Sequence, residues 1–254
     1  MVNKIWDSFE SAIDDIRDGA TIMMFNWIIT GCCCNLIKAL YKKGSKDLTI
    51  ITPNFTPGNI GDHILPQDEY PTPFLLAHQV KKVITAWPGT AHFKITSPLE
   101  EYYKEGKVEI EVTSHGNLVE RIRAGGSGIG GFYSPIGVDT ILEQGKEKRT
   151  IDGKEYILEK PLKADFGFVR AHKADKTGNL VYQYTQRGCN PIIAMASDTT
   201  IAEVEEIVEV GELDPNEIVT QGVFVDRIVV VPEGSVGSTQ SRNNLIRKYL
   251  GGNQ

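Results

Sequence analysis

Apolar and polar positions along this chain follow two periods, one typical of buried strands and one of amphipathic helices. Apolar residues recur at helical spacing over residues 6–18, which predicts an amphipathic helix, and residues 20–25 form a continuous apolar run of strand length. A helix is predicted over residues 35–43, closed by Gly44, and a second strand over residues 48–54. The N-terminal part therefore indicates strands that alternate with helices.

The same alternation continues through the rest of the chain. Strands are predicted at 82–86, 108–112, 166–171, 180–185 and 224–232, and helices at 73–80, 98–105 and 118–124. Asp152-Gly153 lies between two β-type runs and predicts a hairpin, because Asp-Gly favours a type I′ turn. Together these elements predict an α/β fold: an open, mostly parallel sheet covered by helices, with a β-hairpin excursion, in a single domain over residues 1–254.

A glycine-rich stretch lies at the centre of this pattern. The helix predicted to end at Ala124 breaks at Gly125-Gly126, and five glycines fall within residues 125–131. Glycine is used in such number where backbone adopts a positive φ or approaches something closely. A mobile surface loop and a ligand-binding loop are both compatible with this, although the interleaved Ile129 and Phe132 favour a packed, shaped loop.

Charge and composition exclude some classes of function. The net charge of −6 and pI near 5.5 argue against nucleic acid or an anionic membrane surface as a general partner. The apolar run over residues 21–34 is broken by polar residues and is too short to span a membrane, and no signal peptide is recognised. We therefore expect a cytoplasmic protein.

Three consecutive cysteines, Cys32, Cys33 and Cys34, lack the spacing of a zinc site and make a poor disulfide framework. A role as small buried residues is favoured over a redox role. The histidines at 63, 78, 92 and 172 show no metal-ligand spacing, so no metal is expected.

Three long blocks of this sequence resemble the A (alpha) subunit of family I CoA-transferases, of the 3-oxoacid or acetoacetate type. They are VTSHGNLVERIRAGGSGIGGFYSPIGVDT (112–140), GKEYILEKPLKADFGFVRAHKADKTGNLVYQ (153–183) and EVEEIVEVGELDPNEIVTQGVFVDRIV (203–229). The resemblance implies an open α/β fold, an A2B2 heterotetramer formed with a B (beta) subunit, and acyl-CoA and small carboxylates as substrates. It implies no permanently bound cofactor, since coenzyme A is itself a substrate.

The family's reaction is a ping-pong exchange through a glutamyl-CoA thioester, and the glutamate lies in a Ser-Glu-Asn-Gly context of the B half. No Glu-Asn-Gly occurs in this sequence, so the nucleophile is expected on the partner chain. Where the family usually has a Gln that supports the oxyanion, this chain has His115. His115 is therefore a candidate hydrogen-bond donor to the oxyanion, and the alternative is a residue that only closes a turn with Gly116.

The family's CoA-binding signature is recognisable from Asp18-Gly19 onward, but its Gly-Gly pair and closing Pro are absent here. The resemblance assigns cofactor binding to Phe25, Asn26, Trp27, Ile28, Ile29, Thr30 and Gly31. Three interpretations of the bulky aromatic residues stay open: the wall of a narrowed acyl pocket, a sign that the partner holds most of the CoA, or core packing.

Two further alternatives follow from these departures. A degenerate, non-catalytic subunit that stabilises or regulates a partner would suit the loss of Gly-Gly, whereas a sugar-phosphate isomerase on a related scaffold would lack the long matching blocks.

Arg121 and Arg123 are candidates for a CoA phosphate, although a charge on the helix surface is the favoured interpretation.

Overall fold

The structure is a computed structural model that describes residues 3–25, 31–55, 59–60, 63–64, 79–89 and 96–235. The strands are β1 (Thr21–Met24), β2 (Leu48–Asn54), β3 (Asn59–Ile60), β4 (His63–Ile64), β5 (Val80–Trp87), β6 (Glu109–Val112), β7 (Phe132–Ser134), β8 (Lys148–Ile151), β9 (Lys154–Glu159), β10 (Ala164–Asp175), β11 (Leu180–Val181), β12 (Ser197–Val208) and β13 (Arg227–Val230). The α-helices are α1 (Phe9–Ala12), α2 (Cys34–Lys43), α3 (Pro98–Lys104), α4 (His115–Ser127) and α5 (Asn190–Met195). Short 3₁₀ turns occur at Ile141–Glu143, Tyr184–Arg187 and Gly222–Phe224.

The main sheet has the strand order β13-β12-β10-β1-β2-β5-β6, and every neighbouring pair in that order is parallel. β11 adds to β10 in the antiparallel sense. The chain builds outward from β1 to β6 on one side and from β10 to β13 on the other. The order therefore reverses between β1 and β10, which is the position where open α/β sheets form a crevice for ligands. The predicted fold class is confirmed.

Alternate residues of β1, together with Phe25 directly after it, face two separate cores. Ile22 and Met24 belong to one, which α1, α2 and α3 cover, whereas Met23 and Phe25 belong to the other, which α4 and α5 cover. A parallel sheet covered on both faces needs apolar residues at consecutive positions of its central strands. This explains the continuous apolar run at residues 20–25.

The excursion is a small antiparallel sheet with the order β7-β9-β8. β8 pairs with β9 up to Ile151 opposite Lys154, so the connection is Asp152-Gly153. Both residues have positive φ, 49° and 77°, as the type I′ turn requires. The predicted hairpin is confirmed.

The predicted helix over residues 6–18 is wrong in extent, because α1 has only 4 residues. The carbonyl of Ala12, which a longer helix would use, accepts a hydrogen bond from Arg227 Nη1 at 2.7 Å, and the amide of Ile16 donates to Ile13 instead. Ile13 and Ile16 are nevertheless buried in the core. The apolar spacing therefore identified residues that are buried in the core, but it did not predict where the helix ends. The extent of a short helix depends on its tertiary contacts.

Other predicted elements differ by smaller amounts. Three predicted strands match β2, β5 and β6 within two residues at each end, and α2 and α3 match their predictions within one. The helix predicted at 73–80 falls mostly outside the described residues, and Val80 begins β5. Residues 236–254 also lie outside them. The single-domain partition stays a prediction.

Candidate functional site at the carboxyl edge of the sheet

Both sequence-predicted sites begin at the carboxyl ends of parallel strands. Phe25 follows β1 in the middle of the sheet, and His115 follows β6 at its edge. Since β2 and β5 separate the two strands, they are three spacings apart, roughly 14 Å. The topology thus places the two candidates on the same edge, at a distance that a long substrate would have to span.

His115 is the first residue of α4, and its side chain is exposed. Ser114 is the N-cap: its hydroxyl accepts from the amide of Asn117 at 3.2 Å. The amide of Thr113 donates to Thr85 of β5 at 3.1 Å and fixes the end of β6. The turn predicted at His115-Gly116 is therefore the first turn of a helix. A helix N-terminus carries a partial positive charge, so an anion or a developing oxyanion near His115 would be stabilised.

A buried polar network holds this end of α4. Asn117 donates to Glu159 at 3.0 Å and accepts from Ser134 Oγ at 2.8 Å. Glu159 is 1 % exposed and also accepts from Lys146 Nζ at 2.7 Å. Because β7 and β9 supply Ser134 and Glu159, the excursion sheet serves as a rigid support for the helix turn that carries His115.

Arg121 is buried, which contradicts its interpretation as a charge on the helix surface. Its Nε donates to the carbonyl of Lys160 at 2.8 Å, and its Nη1 pairs with Glu111 at 2.9 Å. Burial alone would raise the pKa of Glu111, but hydrogen bonds from Lys82 and Arg121 bring that pKa below its usual value. Arg121 is thus committed to structure, whereas Arg123 pairs with Glu120 on the surface at 2.7 Å.

Gly125 and Gly126 lie inside α4, so the predicted break at these residues is wrong. A Cβ at Gly125 would come within 1.9 Å of the carbonyl oxygen of Leu162, and one at Gly126 within 2.8 Å of Cβ of Met195. The helix ends at Ser127, and Gly128 caps it with φ 71°. The two glycines therefore allow α4 to pack closely on the protein itself, and this part of the glycine-rich stretch does not require a ligand.

Only the ends of the predicted CoA loop are described, since Asn26 to Thr30 lie outside the described residues. Phe25 is 8 % exposed, and its ring lies where a side chain at Gly188 would otherwise stand, 2.2 Å from the Cβ position. Gly31 has φ 69°, and a Cβ there would come within 2.8 Å of the carbonyl oxygen of Gln186. The burial of Phe25 is what core packing would produce. Contact of these residues with CoA stays a prediction.

The strand predicted over residues 180–185 is wrong in extent, and the turn that follows β11 was not predicted. The strand stops at Val181, and a 3₁₀ turn at Tyr184–Arg187 brings the chain against Gly31. Tyr184 is 81 % exposed and has φ 52°, which is unusual for an aromatic residue. The available signal was Gly188 followed by Asn190-Pro191, which indicates a tight turn and the start of a helix.

The three consecutive cysteines are buried free thiols, as predicted. A hydrogen bond with Cys34 and burial both raise the pKa of Cys32, and burial raises the pKa of Cys33. Since the thiolate is the reactive form, these two thiols are held in their inert form at neutral pH. They pack the segment between β1 and α2.

The described part of the chain contains no group of three or more His, Cys, Asp or Glu residues arranged to hold a metal ion. Among the same residues, no helix is long and apolar enough to cross a membrane.

Comparison with known proteins identifies the family. The family model described as "Coenzyme A transferase" matches residues 6–231. The chain is 45% identical over 238 residues to the A subunit of the 3-oxoadipate CoA-transferase of Pseudomonas putida, covering 94% of this chain and 98% of that protein. It is 39% identical over 227 residues to the A subunit of the succinyl-CoA:3-ketoacid coenzyme A transferase of Helicobacter pylori strain J99, covering 89% of this chain and 92% of that protein.

Solved structures show the same fold. An acyl-CoA transferase from Escherichia coli O157:H7 superposes with a TM-score of 0.75 at 22% identity, covering 93% of this chain. The chain spans about half of that structure's length, 52%. The family match over most of the chain and the relatives at 39% identity or more lead to one conclusion. This chain belongs to the Coenzyme A transferase family.

Proposed function

We propose that this chain is the A (alpha) subunit of a short-chain acyl-CoA:carboxylate CoA-transferase of the 3-oxoacid type, active only with a B-type partner. The observation that carries the proposal is the 45% identity with the corresponding subunit of a 3-oxoadipate CoA-transferase across 98% of that protein's length. The absence of Glu-Asn-Gly from the sequence supports a nucleophile on the other chain. We propose an A2B2 assembly in the cytoplasm that uses acyl-CoA and a small carboxylate as substrates and has no resident cofactor.

In the proposed reaction a carboxylate oxygen of the partner's glutamate attacks the thioester carbon of the acyl-CoA. The C–S bond breaks, and CoA leaves as a thiolate while an acyl-glutamyl anhydride forms. The thiolate then attacks the glutamyl carbonyl, which releases the first carboxylate and leaves a glutamyl-CoA thioester. An incoming carboxylate repeats the two steps in reverse and takes the CoA away. No net proton or electron is gained, so the site needs groups that stabilise oxyanions and exclude water.

His115 suits the role of an oxyanion donor in that reaction. It is exposed at the N-terminus of a 13-residue helix, on the same edge of the sheet as the loop after β1. An N–H of the imidazole and the helix dipole both favour negative charge at this position. Support from the buried Asn117 and Glu159 keeps the first turn rigid, which preorganises the donor.

The class of acyl group follows from the named relatives. One acts on 3-oxoadipate and the other on a 3-ketoacid with succinyl-CoA, so both names specify a 3-oxo acid. We propose that a 3-oxo acid is one of the two carboxylates that this enzyme exchanges. Acetate is the alternative acceptor that resemblance to the family allows.

The test is co-expression of this chain with a B-type chain that carries Ser-Glu-Asn-Gly. The assembled protein should transfer CoA from succinyl-CoA to 3-oxoadipate or acetoacetate, whereas either chain alone should not, because a site built from two chains loses its positioned groups when it is split. A panel that includes acetate ranks the acceptors. Transfer by this chain alone at the rate of the assembly would contradict the proposal.

A second measurement locates the nucleophile. Incubation with succinyl-CoA without an acceptor should leave CoA attached to the partner chain, detected by mass spectrometry of the intact chains. The partner variant with Glu replaced by Ala is the control and should remain unmodified. If the partner transfers CoA equally well without this chain, this chain is the stabilising or regulatory subunit of the alternative hypothesis.

A further inference from the structure

A cleft of about 720 Å³ runs along the outer side of β6, the strand at one edge of the main sheet. Glu100 and Tyr103 of α3 line one side of it, and side chains from residues 141–146 line the other. α3 covers one face of the sheet, whereas Lys146 is joined through Glu159 to α4 on the opposite face. All four residues of β6 line the cleft. The cleft is therefore a slot beside an edge strand, with parts of the protein on both faces.

The backbone of β6 has unused hydrogen-bonding groups on the side of the cleft. The amide of Thr113 donates to Thr85 of β5 at 3.1 Å. Because successive residues of a strand direct their N–H and C=O groups to opposite sides, those of Ile110 and Val112 point away from β5. Within the described residues, β5 is the only strand that pairs with β6, and the outward groups of Ile110 and Val112 make no hydrogen bond. The edge of β6 can thus accept another strand.

Large apolar side chains around the cleft are exposed. Ile141 is 76% exposed, Tyr103 57% and Val112 42%. Single exposed apolar residues are common on protein surfaces and need no explanation. Three of them around one slot form a patch of the kind that marks a site of protein–protein contact. An extended chain in the slot would cover all three.

The positive and negative charges along the cleft are unequal in number. Its lining contains three carboxylates and one ammonium group, those of Glu100, Glu109, Glu111 and Lys146. Lys146 is already paired with Glu159 at 2.7 Å. Lys82 pairs with Glu109 at 2.8 Å and with Glu111 at 3.0 Å, and the latter also pairs with Arg121. Four carboxylates thus face three cations, so a segment with basic residues suits the cleft better than an acidic one.

A second copy of this chain fits the cleft poorly. Glu109 and Glu111 share one face of β6, because they are two residues apart. If two copies of β6 paired antiparallel with their sheet faces aligned, the two registers of greatest overlap would set Glu109 opposite Glu111, or Glu111 opposite its own copy. Like charges directly opposite each other destabilise a strand pair. The net charge of −6 on each copy adds to the repulsion.

We infer that an extended segment of the B-type partner, with apolar and basic side chains, docks in this cleft and adds a strand to the sheet beside β6. The inference rests on the proposed function, which requires a second chain that reaches His115. β6 leads through Thr113 and Ser114 directly into His115, and a strand added to β6 would lie about 4.8 Å from it. The partner would therefore reach the same end of the sheet as His115. Addition of a strand to an open sheet edge is a common mode of recognition.

The first test removes one outward N–H group from each edge of the sheet. Val112→Pro deletes a donor that faces the cleft, and its matched control is Val230→Pro on β13, the strand at the opposite edge. Both valines are exposed, 42% and 45%, and both N–H groups point outward, since the amides of Thr113 and Val231 donate inward. The dissociation constant for the B-type chain, measured by sedimentation of the mixed chains, should rise at least about tenfold in Val112→Pro and stay within about twofold in Val230→Pro. Equal dissociation constants in the two variants would overturn the inference.

Hydrogen exchange identifies the occupant of the cleft. Exchange of the Ile110 and Val112 amides should slow at least about tenfold when the B-type chain is added, and should not depend on the concentration of this chain alone. Slowing that appears in this chain alone as its concentration rises would show a second copy in the cleft and refute the inference. Failure of the assembly to transfer CoA, with these amides protected, would refute the proposed function and support the docking site. An active assembly in which both amides stay unprotected would refute the docking site alone.

Side-chain variants keep the test decisive if Val112→Pro does not fold. Ile141→Ser removes an apolar side chain from the cleft, and Val223→Ser is its control, because the two residues are almost equally exposed, 76% and 77%, and both lie in 3₁₀ turns. Glu109→Lys reverses a charge of the cleft, and Glu155→Lys on β9 is its control. Only Ile141→Ser and Glu109→Lys should weaken binding of the partner, each by about tenfold. If both bind the partner as tightly as their controls do, the cleft is not the docking site.

Discussion

Two helices of this chain begin at the carboxyl edge of the same sheet, and their N-termini are arranged in opposite ways. The start of α2 is closed, because the buried carboxylate of Glu203 accepts from its amides. The start of α4 is open, with a short cap from Ser114 and His115 exposed beside it. The two helix dipoles therefore lie in different surroundings: that of α2 stabilises the internal charge of Glu203, and that of α4 would favour a negative charge near the exposed His115.

The largest expected effect comes from removing His115 at the open end. If it donates to the oxyanion, His115→Ala should lower kcat of the assembled enzyme by about 10²-fold, which is the scale for one preorganised donor. His115→Gln should recover most of that loss, because its amide also donates. Measurement of kcat together with Tm separates catalysis from folding, and a normal kcat in the Ala variant would remove His115 from the site.

The next effect concerns the far end of α4, where Gly125 meets Leu162 at a distance that no Cβ can occupy. Gly125→Ala should destabilise the protein by about 1–3 kcal/mol, the usual cost of overpacking a core. Gly116→Ala is the matched control, since a Cβ there meets nothing within 4 Å. Chemical denaturation of both variants tests this. If the Gly125→Ala protein has the same free energy of unfolding as the Gly116→Ala protein, the close packing of Gly125 on Leu162 is contradicted.

Removing the cap of the open helix should have a smaller effect. Ser114→Ala deletes the hydroxyl that accepts from Asn117 and should cost about 1 kcal/mol of stability, as for a typical N-cap. Ser114→Asp, which also caps, should retain stability. Urea unfolding measures both. If the Ala variant loses no stability, the buried contacts of Asn117 alone hold this turn.

The smallest expected effect is the pH dependence contributed by Glu111, which anchors α4 through Arg121. Since its folded pKa lies below its unfolded value, its stabilising contribution is present above the usual pKa of Glu, about 4.3, and is lost as pH falls through the folded pKa. Glu111→Gln should therefore flatten the acid side of the stability curve. The free energy of unfolding, measured from about pH 7 to about pH 3, checks this, and an unchanged slope would exclude Glu111 as a contributor.

The prediction made from the glycines at 125 and 126 was partly correct. The glycines at 125 and 126 do permit a close approach, as their number suggested, but the partners are Leu162 and Met195 of the same chain. Nothing in the sequence specifies whether the approaching group is a ligand or a distant segment. Helix propensity also argued for a break at these residues, and tertiary packing of α4 overrode it.

The acids of β12 give a second case. Their alternation with Ala202 and Val204 is the pattern of a strand with two different faces, and these two apolar residues lie in the same core. It does not indicate that the opposite face, which holds Glu203, is covered by α2 and wholly buried. A period of two predicts which residues lie on the same face of a strand. Whether both faces are buried depends on the helices that pack against the sheet.

Local patterns were enough to predict the class of fold, the order of most strands and helices, the hairpin turn at Asp152-Gly153 and the family resemblance, because these depend on periodicity, turn chemistry and long ordered blocks. The burial of Arg121, the contact of segment 184–188 with Gly31 and the hydrogen bonds from the α2 amides to Glu203 became evident from the folded structure alone. Each of these joins residues far apart in the chain. Such contacts arise from how covered strands and helices pack, which no local pattern of residues encodes.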